Sequence, residues 1–338
     1  MRFEPYPTLG DRPHVVVDGA PNDATALLLS HWPRQPGGDG TPRALRADTS
    51  AEIVFRWLAA REPSVDVELA SNNHFDEDGL VGLFALIDPG AAIERRARLI
   101  DVASAGDFAT CTTRDAARTA CTIAAFADPE RSPLARATFA GTDADRTAAL
   151  YSQMLPRLAE LVDAPERFRR LWEDEDARID HDVAAIASGA VRIEEVPELD
   201  LAVVTLPAHA AGGLASRFAG QRRECVHPIA LHAATSRTCI LTHDTRGGRH
   251  EVLYRYETWV QLASRRPRAR RDLSVLARQA SPLEPSGARW TFDGVSAITP
   301  RLRLDEAQES GLDPARFRAL LEDALRTLPA AWDPYLEA

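Results

Sequence analysis

The strongest constraint on this chain is a polar turn, Asn72-Asn73-His74-Phe75-Asp76-Glu77-Asp78-Gly79, set between two apolar segments of different period. Before it, Val65-Asp66-Val67-Glu68-Leu69 alternates apolar and polar, which predicts a strand with one buried face. After it, Leu80, Leu83, Phe84 and Ile87 recur at helical spacing until Asp88-Pro89 stops the helix. A ligand-rich turn where a strand hands over to a helix is where open α/β sheets keep their sites.

Divalent cations bind hard oxygen and imidazole ligands that converge from short segments. In extended conformation His74, Asp76 and Asp78 project to one side, about 6 to 7 Å apart per two-residue step. That separation suits two ions better than one. If the chain bends into the helix at Glu77, Asp78 swings closer and its carboxylate gains from the helix N-terminus. Gly79 gives the corner a permissive backbone. Asp, Glu and Asn are also ordinary helix-capping residues. The chain has only three Asn, at positions 22, 72 and 73. Two of them adjoin the ligand-like residues, which favours a functional site.

Asn73-His74-Phe75-Asp76-Glu77-Asp78-Gly79 resembles the first signature motif of the DHH phosphoesterase superfamily: strand, then His/Asp-x-Asp-x-Asp-Gly, then helix. With Gly106-Asp107-Phe108, the fuller pattern resembles a bacterial family of unknown function. The DHH resemblance covers residues 65–88. It implies a manganese-dependent phosphoesterase fold, with His74, Asp76 and Asp78 as metal ligands and His74 and Asp76 at the catalytic centre. The second metal-binding Asp of such enzymes falls best on Asp107. The sequence departs from the superfamily in two places. Ala91 to Ala105 reads as a helix where a strand belongs, with Ile93, Ala97 and Ile100 inward and Gly106 closing it. The Asp-His-His triplet is absent; the nearest strings are Asp180-His181-Asp182 and His243-Asp244.

At 338 residues and net charge −10, the chain is long enough for two lobes and too acidic to hold long duplex nucleic acid by bulk charge. All 40 basic residues are Arg, which excludes Schiff-base lysine chemistry and a Walker-type phosphate loop. No leading signal segment and no apolar run of membrane-spanning length occurs. Cys111, Cys121, Cys225 and Cys239 lack the close pairing of a zinc site. These features predict a cytoplasmic protein and leave room for a homo-oligomer.

The first lobe, 1–188, reads as alternating strands and helices. Val15-Val16-Val17 is a buried strand, and it exits into Asp18, read as a turn residue with a supporting role at most. Gly37-Gly38-Asp39-Gly40 reads as a surface loop. Thr49-Ser50-Ala51-Glu52 is a capping box opening a helix with Ile53, Val54, Trp57 and Leu58 inward. The run from Phe168 to Ile186 is a charged helix, and Asp180-His181-Asp182 on it is a solvated face.

In the second lobe, 189–338, Thr238–Thr242 and Glu251–Tyr256 flank Arg246-Gly247-Gly248-Arg249, a hairpin signal. Hairpin turns favour such residues for backbone reasons. The functional reading makes His243, Arg246 and His250 substrate-facing, with Arg246 or Arg249 gripping phosphate and His243 donating a hydrogen bond; Asn72 and Asn73 are read as substrate-binding as well. Arg265 to Arg271 reads as a solvated basic loop.

The expected fold is therefore α/β: a DHH-like parallel-sheet N-terminal lobe with a helical insert, and a smaller α+β C-terminal lobe. The expected function is a metal-dependent phosphoesterase, using Mn or Mg, acting on a small phosphorylated metabolite or short nucleotide. The alternatives are a catalytically inactive DHH-like nucleotide- or partner-binding protein, and a helical hydrolase built on residues such as His181-Asp182.

Overall fold

The computed structural model describes residues 1–33, 40–60, 62–207, 226–244, 250–305 and 310–336. It is a mixed α/β structure with a four-stranded parallel sheet and a separate mixed sheet. The chain divides into two compact units within one helix. The first holds Met1–Ala177 with Gln261–Arg265, and the second holds Arg178–Val260 with Arg266–Leu336.

In the first unit, β1 (Arg2–Phe3), β2 (His14–Val17), β3 (Thr25–Leu29), α1 (Ser50–Ala60) and β4 (Leu69–Ser71) come first. They are followed by α2 (Glu77–Ile87), α3 (Pro89–Glu94), α4 (Arg96–Phe108), α5 (Arg114–Ala127), α6 (Asp143–Met154), α7 (Leu158–Asp163) and α8 (Arg169–Ala187). The strand order is β1-β4-β2-β3, all parallel. Val15, Val16 and Val17 are fully buried, as expected of an apolar strand covered on both faces. Each such side chain contributes about 1.5–3 kcal/mol of burial. Because β2, β3 and β4 run the same way, their C-terminal ends meet at one edge. The residues next in sequence are Asp18, the Ser30-His31 pair and the Asn72–Asp78 turn.

Two elements differ from the sequence-based expectation. The strand expected over Val65–Leu69 lies at Leu69–Ser71, because the β2 ladder begins at the His14–Leu69 pair. Val65 and Val67 still pack on the core as irregular chain. The single helix expected over 91–105 is two, α3 and α4. Ile93 and Ala97 are exposed, and the buried face of α4 is Leu99, Val102, Ala103 and Phe108. Gly106 does not end the helix. Ala109 does, with a left-handed φ of 50°, so Asp107 sits on the last helical turn.

In the second unit, β5 (Arg192–Val196), β6 (Leu201–Leu206), α9 (Pro228–Ala234), β7 (Cys239–Asp244) and β8 (His250–Tyr254) lead. They are followed by β9 (Arg270–Arg271), α10 (Ser274–Ala280), β10 (Trp290–Phe292), β11 (Arg301–Leu304), α11 (Pro314–Thr327) and β12 (Ala330–Trp332). Six strands form one sheet in the order β10-β11-β8-β7-β6-β5, with β6 and β7 parallel and the other pairs antiparallel. Leu276, Phe317 and Leu321 belong to its core. Arg270, expected on a solvated loop, is fully buried. Its guanidinium donates to the carbonyls of Val295, Ala297 and Ile298 and to Thr258 Oγ1. A buried cation held by four acceptors organises irregular chain that no strand ladder reaches. No helix of the described residues is long and apolar enough to cross a membrane.

A candidate metal centre at the ends of three parallel strands

Asp18 follows β2 directly and is fully buried. Its φ of 48° is a left-handed conformation that costs a non-glycine residue about 1–3 kcal/mol unless its surroundings impose it. Here they do. The Asp18 N–H donates to the Leu29 carbonyl at 3.1 Å, and Ser50 Oγ donates to Asp18 Oδ1 at 2.8 Å. Gly19 lets the chain turn here, because a Cβ on it would stand 2.5 Å from Asn73 Oδ1.

His31 lies two residues beyond β3. Its backbone N–H donates to Ser50 Oγ at 3.2 Å, and its carbonyl accepts from Gln261 N at 2.8 Å. Its Nδ1 lies 2.6 Å from the Asp48 carbonyl. A carbonyl can only accept, so Nδ1 carries a proton and Nε2 is the ring's inward donor atom, the arrangement of metal-binding histidines. Asp48 is held in turn by the backbone of Ala263 and Ser264, each donating at 2.8 Å.

The turn after β4 completes the arrangement. Asp76 caps α2, with Oδ1 accepting from Gly79 N at 2.8 Å. Its other oxygen, Oδ2, is 2.8 Å from His74 Nε2. Asp78 accepts from Ser50 N at 2.6 Å and Ala51 N at 2.7 Å. Asp78 also lies in the first turn of α2, as a bend into the helix at Glu77 implies, so its charge sits at two helix N-termini, and the one that hydrogen-bonds it, α1, is the one the sequence does not show. The turn is not extended, since Glu77 and Asp78 are already helical. Gly79 has another reason than a permissive corner: a Cβ there would stand 2.2 Å from Asn72 Nδ2 and 2.6 Å from Tyr151 Oη.

These residues form two groups that share Asp18. One is Asp18, His31, Asp78 and Asp107; the other is Asp18, His74 and Asp76. In each, one donor atom per residue lies within 4.8 Å of the others. His31 Nε2 stands 3.4 Å from Asp18 Oδ1, 3.5 Å from Asp107 Oδ2 and 3.9 Å from Asp78 Oδ2. His74 Nε2 stands 3.4 Å from Asp18 Oδ2. Ligands about 2.1 Å from a common ion lie roughly 3.0–3.4 Å apart, so small adjustments would let each group close on a cation.

Helix capping explains part of this geometry and not the rest. Asp76 and Asp78 do cap helices. Asp107 caps nothing: it is buried, and neither of its oxygens has a partner at hydrogen-bonding geometry. Four carboxylates in so small a buried volume are destabilising, at several kcal/mol per unneutralised charge. Such a cluster points to function more than to stability.

The protonation pattern says the same. Burial opposes ionisation of Asp18, but hydrogen bonds from His31 and His74 outweigh it and hold the carboxyl below the usual range. Burial likewise disfavours protonated His31, yet the hydrogen bond and charge of Asp18 and the charge of Asp78 raise its pKa. Burial and the Asp18 charge push Asp78 up to about 6. Burial and the charges of Asp78 and Asp18 push Asp107 well above the carboxylate range. Burial pushes Glu77 up to about 8. The acids outnumber the imidazoles, so some hold protons that a divalent cation would replace.

His74, Asp76, Asp78 and Asp107 are thus brought together. Asn72 and Asn73 adjoin them: Asn72 Oδ1 accepts from His74 N at 3.1 Å, and Asn73 Oδ1 accepts from Ala20 N at 3.3 Å. Asp18, read from sequence as a turn residue, is the shared member of both groups. Sequence reasoning misses His31, although it stands at the exit of an apolar run as Asp18 does. His243 and His250 belong to the second unit as a cross-strand pair. His250 stacks on Phe317 at 5.2 Å and meets the Leu312 carbonyl, while His243 Nε2 meets Thr205 Oγ1. Burial lowers the pKa of both, which suits neutral packing groups. Arg246 and Arg249 lie outside the described residues. His181 is exposed on α8, and Asp182 accepts from His227 N.

The fold and site define a chain with buried Asp and His clusters that could bind metal. Over residues 1–336 it matches, and belongs to, a family of unknown function (DUF6687). No curated protein and no solved structure matches it.

Proposed function

We propose that the first unit is a DHH-like phosphoesterase centre holding two divalent ions, with Asp18 shared between them. The observation that carries this reading is the pair of ligand groups meeting at Asp18. Two divalent cations would balance the four carboxylates of Asp18, Asp76, Asp78 and Asp107. Mn²⁺ is the ion the motif resemblance favours, and Mg²⁺ suits the oxygen-rich donor set. Bound there, the ions would supply hydroxide near neutral pH and stabilise charge on phosphoryl oxygens.

The chain's own groups serve that chemistry by position. Ser50 and the α1 N-terminus fix Asp18 and Asp78, Asp48 fixes the His31 tautomer, and the Gly79 N–H fixes Asp76. Among these ligands His74 alone is substantially exposed, with a third of its side chain accessible. The substrate therefore enters on the His74–Asp76 side. A small phosphorylated metabolite or short nucleotide fits the acidic chain better than duplex nucleic acid.

The test is hydrolysis of a generic phosphodiester and phosphomonoester panel by Mn²⁺-loaded protein, with Asp18→Asn as control. Turnover that disappears in the variant supports the reading. Metal uptake without turnover across the panel moves the conclusion to a catalytically silent phosphate- or nucleotide-binding protein.

A further inference from the structure

The two imidazoles of the metal-like cluster are held in different ways. His31 is anchored on all sides: its Nδ1 to the Asp48 carbonyl, its own carbonyl to Gln261 N and its backbone N–H to Ser50 Oγ. His74 lacks an anchor of this kind on its ring. Its Nδ1 is buried but has no hydrogen-bond partner among the described residues, and a third of its side chain is exposed. Asn72 Oδ1 fixes the backbone N–H at 3.1 Å and leaves the ring its side-chain rotation. Its Nε2 meets Asp76 Oδ2 at 2.8 Å, a hydrogen bond that needs a proton on Nε2. Ligation needs that nitrogen bare, so the bond cannot orient the ring in a loaded site.

An aromatic ring stands against this imidazole instead. The Trp32 indole lies 5.2 Å from it, centroid to centroid, with the ring planes 31° apart. Trp32 is itself firmly mounted. Its N–H donates to Ser30 Oγ at 3.2 Å, and Thr41 Oγ1 accepts from Ser30 N at 2.8 Å and donates to the Ser30 carbonyl. Two adjacent residues at the β3 exit thus serve the two ligand groups, His31 as a ligand of one and Trp32 beside a ligand of the other. We propose that Trp32 is the positioning residue of His74, its indole holding the imidazole in the orientation that the group of Asp18, His74 and Asp76 needs. Ligating histidines are ordinarily oriented by a partner on their other ring nitrogen. A ring packed against the imidazole restrains it through contact area, with no such partner required. The group at His31 is complete without Trp32, and the group at His74 is not. The inference rests on the two-ion reading of the centre and on no particular reaction.

The experiment titrates metal-free full-length protein with Mn²⁺ by calorimetry, and with Co²⁺ by indole fluorescence. Wild type is compared with Trp32→Leu, which keeps apolar bulk and removes the ring, and with Trp32→Phe, which keeps a ring. In Trp32→Leu the second equivalent should bind about 10–100-fold more weakly, the usual cost of losing a group that orients a ligand. The first should bind as in wild type, which also shows that the variant is folded. Trp32→Phe should recover most of the loss. Co²⁺ quenches indoles close to it, so the quenching that accompanies the second equivalent in wild type should vanish in Trp32→Phe although the ion still binds. A second equivalent bound by Trp32→Leu as tightly as by wild type overturns the assignment and leaves the two-ion reading standing. Loss of both equivalents together also overturns it, because Trp32 would then support the whole sheet edge and not His74. Equal weakening in Trp32→Leu and Trp32→Phe does the same, since the ring would not be what matters. A wild-type chain that takes up one ion or none removes both readings.

Discussion

His31 Nε2 stands 3.4 Å from Asp18 Oδ1, although 12 intervening residues separate them in sequence and each lies past the end of a different strand. The contact exists because β2 and β3 are parallel neighbours. The residues that leave the two strands therefore arrive at the same sheet edge. Asp18 then faces His31 through one oxygen and His74 through the other. A residue shared in this way should matter to both ligand groups, while the rest should matter to one.

Substitution should show that asymmetry. Asp18→Asn removes a charge from both groups and should abolish uptake of both ions. Asp107→Asn and His74→Ala should each cost one equivalent. Metal content after dialysis reads this directly, and loss of a single equivalent in Asp18→Asn contradicts the shared role.

Metal uptake should release protons and strengthen with pH. Asp78 is pushed up to about 6 and Asp107 is raised well above the carboxylate range, and bound ions require both ionised. Apparent affinity for Mn²⁺ should therefore rise between pH 5 and pH 8. Calorimetry in two buffers of different ionisation enthalpy measures the protons released. A pH-independent affinity is the contrary result.

Glu77 gives the metal-free protein a pH-dependent stability of definite sign. Its carboxyl is buried against Gly106 and pushed up to about 8 from 4.5. Between these values the folded chain keeps a proton that the unfolded chain has lost. This contribution is complete below the unfolded pKa and is lost as pH rises through the folded one. The Tm of metal-free protein should fall from pH 5 to pH 8, and Glu77→Gln should make the fall shallower. Equal slopes contradict the assignment.

Gly106→Ala sets helix propensity against packing. Alanine gains about 0.5–1 kcal/mol inside a helix, but its Cβ would stand 2.5 Å from Glu77 Cβ and 2.7 Å from Glu77 Oε2. Overpacking of this kind costs about 1–3 kcal/mol, so the net change should be destabilising. Denaturant unfolding measures it. The displaced Glu77 and Asp107 should also weaken metal uptake.

Much of this is legible in the sequence because strand exits are legible. The apolar run at Val15–Val17 and the alternation before Leu69 each point to a polar group at a sheet edge. The turn from Asn72 to Gly79 reads as a ligand turn on pattern alone. His31 does not, because the groups that orient it come from elsewhere: the Asp48 carbonyl, and Gln261 more than two hundred residues away. Asp18 resembles turn material because its importance comes from two strands beside it. The end of α4 departs from expectation because Ala109, with no turn-forming side chain, takes the left-handed position that Gly106 is better suited to fill. Arg270 departs from it because seven residues rich in arginine suggest water, and nothing local shows which one turns inward.

The most direct measurement of the central claim is metal stoichiometry with position: elemental analysis of Mn²⁺-equilibrated protein, together with anomalous diffraction from a crystal grown with Mn²⁺. Two ions per chain are expected, one within reach of His31, Asp78 and Asp107, the other within reach of His74 and Asp76, and both beside Asp18. A chain that binds no manganese, with Asp18 and Asp107 still buried and unmetallated, would contradict the account.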